Sequence, residues 1–180
     1  MTPYYMATTK LDPTSEGWDA YANWRKLPQL VEVVTIEDHY MPLRNQLTVE
    51  DWASVASADE VGPPLCFRDL ERLQRAIARI SPTLPLNLLC VFREPTEPPI
   101  APQSSFTFLG YDLIEDKTGV SAVTNCGGQF AAVIEDGEIN ARGLIDTFDR
   151  AKEIQRELPK SYPQDPHACC SLWAIFRVSE

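Results

Sequence analysis

The chain has 180 residues, 44% hydrophobic and 23% charged, with 16 Lys and Arg against 26 Asp and Glu, a formal net charge of −10. That length predicts one domain, and the hydrophobic fraction excludes wholesale disorder. No apolar run approaches the roughly 18 residues of a membrane span, the first 13 residues lack the basic-then-apolar order of a secretory signal, and the acidic excess opposes general nucleic-acid binding. A cytoplasmic protein without a membrane segment is expected.

The charge is unevenly spread. Residues 1–64 and 81–180 each carry a net −6, whereas residues 65–80 carry +2. Arg68, Arg72, Arg75 and Arg79 follow the same three- and four-residue spacing as Leu70, Leu73, Ile77 and Ile80, but out of phase with them. This is an amphipathic helix with arginines opposite its apolar stripe. Such a face is either solvated and balanced by neighbouring acids or an anion patch for an acidic partner.

In chain order, residues 1–13 read as a flexible tail and 14–180 as one domain. A short helix carrying Trp18, Tyr21 and Trp24 is expected next, ended by Pro28. Residues 30–36 (LVEVVTI) are rich in β-branched side chains and predict a buried strand. Thr48-Val49-Glu50-Asp51 matches a capping box, with Trp52 and Val55 as the apolar contacts of the helix it opens. The arginine helix follows the break at residues 57–64. The run at 86–92 predicts a central strand, and four prolines within 94–105 dictate a surface loop. Residues 105–115, a turn at 116–119 and residues 120–124 predict a β-hairpin. The longest helix is expected over about 141–158, with Asp146 and Arg150 as an i, i+4 pair and Pro159 as its stop. Residues 170–178 close the fold. The pattern predicts an α+β domain with about five strands in a mostly antiparallel sheet and helices on one face.

Candidate chemistry is sparse. An odd set of five cysteines without a secretory signal predicts reduced thiols. Cys90 lies inside an apolar run and reads as packing. His167, Cys169, Cys170 and Cys126 depart from zinc-ligand spacing, and adjacent cysteines on a strand face opposite ways, so no metal is expected. No cofactor is expected either, because residues 127–128 lack the remaining elements of a phosphate or dinucleotide loop. Residues 124–128 (TNCGG) are the one place for an enzymatic nucleophile. Cys126 would attack, His167 or His39 would be the base, Asn125 the amide orienter, and nearby N–H groups the oxyanion donors. The alternative is a glycine turn with a small filler thiol. Most of the four tryptophans are expected in the core.

Five segments together resemble a family of small bacterial proteins whose motifs carry no known chemistry. They are residues 24–34 (WRKLPQLVEVV), 108–114 (FLGYDLI), 124–128 (TNCGG), 144–155 (LIDTFDRAKEIQ) and 167–176 (HACCSLWAIF). In size, acidity and α+β pattern the chain is also similar to immunity proteins that neutralise bacterial toxins. The leading expectation is therefore a non-catalytic acidic binding protein, an immunity- or antitoxin-like inhibitor of a basic partner. It would make contact through Glu115 and Asp116 and through Glu135, Asp136 and Glu138. The rivals are a Cys126 hydrolase or transferase and an assembly subunit that self-associates through a strand edge.

Overall fold

A computed structural model describes residues 1–15, 18, 27–37, 44–62, 64–79, 85–124 and 130–178. Four antiparallel strands, β1 (Tyr4–Thr9), β2 (Leu86–Arg93), β3 (Phe106–Glu115) and β4 (Cys170–Val178), form one sheet in the order β1-β2-β4-β3. Among the described residues the helices are α1 (Val49–Trp52), α2 (Ala58–Val61), α3 (Leu70–Ala78) and α4 (Phe148–Ser161). No helix among the described residues is long and apolar enough to cross a membrane.

The near-continuous apolar runs of β2 and β4 are explained by burial on both faces of the sheet. One face presents Cys90, Leu113, Leu172, Ala174 and Phe176 to Ala151, Ile154 and Leu158 of α4. Towards β1, Leu88 packs against the cluster of Ala7, Phe67 and the α3 residues Leu73 and Ala76. The other face presents Met6, Leu89, Val91, Trp173 and Ile175 to Val34, Ile36, Cys66 and Leu144, with Val61 of α2. Both longer helices thus share a face, while the opposite face is covered by extended segments and α2.

The sheet has four strands instead of five because two expected strands are absent and one unexpected strand is present. Residues 4–9, read as part of a flexible tail, are edge strand β1, whose Met6, Ala7 and Thr8 are buried. Phe67 caps its outer edge through paired hydrogen bonds with Tyr5 of 2.8 and 2.7 Å. Leu30 and residues 33–36 are buried while Val31 is exposed, and the segment joins no sheet. Their backbone N–H groups go to loops, Val31 to Ala141 O at 2.9 Å, Val34 to Arg142 O at 3.0 Å and Val33 to Leu11 O at 2.8 Å. The turn at 116–119 is present, with Gly119 at φ 71°. Its returning arm makes a single bridge, Ser121 to Ile114, before the chain curls away.

Helix starts also move. The one-turn α1 has the capping box of Thr48 and Asp51, yet Trp52 is 44% exposed and supplies little core. Trp173 is 1% exposed and is the largest fully buried side chain among the described residues. Most of the helix expected around Trp18 lies outside the described residues. The longest helix begins at Phe148, because Leu144 and Ile145 are drawn to the sheet, where Ile145 and Tyr111 exchange hydrogen bonds of 2.8 and 2.9 Å. Pro159 sits inside its last turn.

This docking depends on Gly110, which follows a bulge between Phe108 and Gly110 and has φ 143°. A Cβ there would lie 2.7 Å from Leu144 Cβ and 3.0 Å from Ile145 O. Backbone strain and overlap of this kind cost about 2 kcal/mol or more. Gly110→Ala is expected to lower the urea-denaturation midpoint accordingly. Gly137→Ala, with nothing within 4 Å of the added carbon, is expected to leave it unchanged.

Candidate functional site

The first expected contact, at the 116–119 turn, is divided by burial. Glu115 is 1% exposed, and its carboxylate accepts from Lys117 N at 2.9 Å, Thr118 N at 2.6 Å and Thr118 Oγ1 at 2.5 Å. Burial pushes its pKa upward, but the bonds from Thr118 and Lys117 outweigh it and hold the group below the usual range. Glu115 organises the turn and does not face a partner. Asp116 is exposed but tethered, accepting from Ser171 Oγ and pairing with Arg93 at 3.6 Å.

Beneath the turn lies a buried polar cluster. Asp112 Oδ1 accepts from Ser121 Oγ at 2.6 Å and Leu113 N at 2.8 Å, while Ser121 N donates to buried Glu37 at 2.7 Å. Ser121 Oγ in turn accepts from Val123 N and Thr124 N, and those bonds curl the chain out of the hairpin. A carboxylate in the apolar run of β3 was a visible sequence signal, but the distant Glu37 was not.

Asn125, Cys126 and the glycines at 127–128 lie outside the described residues, as does His39. His167 is on a short 3-10 turn, Pro166–Ala168, capped by Asp165. Its ring is half-buried and lines an open cavity of about 520 Å³ with Tyr162 and Asp165. Tyr162 packs edge-to-face against Phe130 with ring centres 5.0 Å apart and accepts from Ala132 N at 3.2 Å. Among the other thiols, burial pushes Cys66 and Cys90 up to about 12, which leaves them un-ionised at neutral pH. Cys169 is exposed, and Cys170 Sγ donates to His167 O at 3.2 Å. Among the described residues no three His, Cys, Asp or Glu side chains gather to hold a metal ion.

The arginine face is neutralised within the fold. Arg68, which precedes α3, pairs with Glu60, Arg72 with Glu50 at 3.7 Å, Arg75 with Glu71 at 3.3 Å and Arg79 with buried Asp51. Burial favours a protonated Asp51, but the bonds from Thr48 and the charges of Arg79 and Arg72 keep it below the usual range. These contacts favour the balanced-face reading over an anion patch.

The second expected contact is the more open one. Arg150 of α4 grips Glu138 through bonds of 2.5 and 2.9 Å, Glu153 at 2.7 Å and Val133 O at 2.7 Å. Its hydrogen bond holds the Glu138 pKa low. Asp146, expected to pair with Arg150, instead accepts from Asn140 Nδ2 at 2.7 Å. The loop at 135–138 is thereby fastened to the start of α4, with Glu135, Asp136, Asp146, Asp149 and Glu153 all exposed. Comparison with family models, curated proteins and solved structures finds no match to the chain.

The buried cluster makes a pH prediction. Burial pushes Asp112 from 3.8 up to about 6, opposed by the bonds from Ser121 and Leu113 N. The folded state therefore binds this proton more tightly than the unfolded state. Its contribution is fully present below about pH 4 and is lost as pH rises through about 6, a difference of about 3 kcal/mol. Asp112→Asn is expected to flatten the stability profile over that window and to be the more stable protein at neutral pH. Urea denaturation across the pH series measures both effects.

Proposed function

We propose that the protein is a non-catalytic binding domain that recognises a basic protein partner, in the manner of an immunity-type inhibitor, through the acidic surface beside α4. The observation that carries this reading is the distribution of paired charge. The arginines of the α3 region are taken up by Glu50, Asp51, Glu60 and Glu71, so they offer little to an acidic partner. Beside α4 the balance is reversed, because Arg150 is engaged by Glu138 and Glu153 while further carboxylates stand exposed around it.

Such a surface acts mainly on encounter. Carboxylates at an exposed rim raise the association rate of a cationic partner and repel acidic competitors, with a strong dependence on ionic strength. The short loop at 135–138 is well suited to presentation. Gln29 Nε2 donates to Asp136 O at 2.8 Å and Ile139 O at 3.1 Å, and Arg150 clamps the loop from α4.

The test begins with low-salt capture of a basic protein from a native lysate, followed by stopped-flow association kinetics. The triple charge reversal E135K/D136K/D149K is expected to slow association at least about tenfold. The equally large reversal D59K/E71K/E97K, placed elsewhere on the surface, is expected to have little effect. Equal losses from both triples would reduce the interaction to net charge and overturn the assignment of this surface. Capture of no basic protein would overturn the function.

A further inference from the structure

Two large aromatic side chains stand exposed among the described residues, Trp52 at 44% and Phe108 at 39%. Beside Trp52 the carboxylates of Glu50 and Asp51 are already paired with Arg72 and Arg79. Phe108 lies on edge strand β3, just before the bulge at Gly110. Its ring centre is 5.1 Å from that of buried Phe176 and 5.0 Å from that of buried Tyr111. Tyr111 in turn meets Phe148, the first residue of α4, at 5.9 Å. An aromatic row therefore runs from the open end of β3 to the start of α4.

Acids border this row. Asp149, next to Phe148 in the first turn of α4, is exposed. Burial, and then the charge of Asp149, push the Tyr111 hydroxyl up, so that carboxylate stands close to the ring that supports Phe108. Asp146 is tied to the same strand edge, because Asn140 Nδ2 donates both to Asp146 Oδ1 at 2.7 Å and to Leu109 O at 3.0 Å. Arg150 is engaged by Glu138 and Glu153, and among the described residues neither Asp146 nor Asp149 forms an ion pair.

We propose that Phe108 anchors the acidic surface beside α4 by receiving an arginine side chain of the basic partner, an inference that rests on the binding function proposed above. The arginine stem covers the exposed Phe108 ring, its planar guanidinium lies against the aromatic face, and its outer N–H groups reach the unpaired acids. A lysine has the same charge but a compact, strongly hydrated head with no planar face, so it is held less well. The two parts act on different steps. The carboxylates speed encounter, whereas an aromatic inside a charged rim sets how long the complex lasts. Trp52 lacks this role because arginines already occupy the acids beside it.

The probes are tetra-arginine amide and tetra-lysine amide, titrated into the full chain at low salt and followed by the NMR shifts of Tyr111 and Phe148. The arginine peptide is expected to bind saturably and at least about threefold more tightly than the lysine peptide. Phe108→Ala is expected to abolish that preference. Phe108→Leu, which keeps an apolar side chain but removes the aromatic face, is expected to do the same and keeps the test decisive should the Ala variant fail to fold. Trp52→Ala is expected to leave the preference intact. With a captured basic partner, Phe108→Ala is expected to raise the dissociation rate at least about tenfold and to leave association nearly unchanged. No binding of either peptide, equal binding of both, or a preference that survives in the folded Phe108 variants overturns the anchor alone. Failure to capture a basic protein overturns the function itself, whatever the peptides do.

Discussion

The rest of the structure depends on burying β4 on both faces. A strand whose alternate side chains both point into apolar surroundings needs two covers, and the chain supplies two unlike ones. Helix α4 lies over the face of Leu172, Ala174 and Phe176. The face of Trp173 and Ile175 is closed by Val34, Ile36, Cys66 and Leu144, which belong to extended or irregular segments. Such segments cannot satisfy their own backbone, so they bond to one another, as residues 31–34 do to 141–142 and to Leu11. Gly110 matters for the same reason, since it lets that cover approach the sheet edge.

Carboxylates do most of the work of fastening these parts. Glu94 is held at φ 48°, a left-handed conformation rare for a residue with a side chain. It persists because its carboxylate accepts from Leu172 N at 2.7 Å, Gln155 Nε2 at 2.6 Å and Lys152 Nζ at 3.1 Å, which ties β2, β4 and α4 together. Glu115 builds a turn, Glu37 and Asp112 hold Ser121, and Asp51 joins α1 to the end of α3. Many of the acidic side chains behind the −10 are therefore structural. The exposed remainder beside α4 is what a partner would meet.

Local pattern showed β2, β3 and β4 clearly, because each is a long apolar or β-branched run ended by a charged or turn residue. It missed β1, whose YYMATT is short and terminal, and which becomes a strand by pairing with β2 and Phe67. Residues 30–36 have strand composition, but composition reports burial, not the identity of the backbone partner. In the candidate sites, Glu135 and Asp136 were legible as exposed turn acids. The grip of Arg150 on Glu138 required the docking of a loop onto a helix.

By itself the sequence determined the acidic balance, the α+β class, the doubly buried strands, the turn at 116–119 and the helical arginine spacing. These follow from the period of side chains along a short stretch, where each residue reports on its own neighbours. Tertiary structure alone decided the strand order, the loop that covers the second face and the partner of each charge. Arg79 and Asp51 are 28 residues apart, and Arg177 and Glu32 are 145 apart. Whether an arginine is free for a ligand or already neutralised depends on that distant partner, and no local periodicity encodes it.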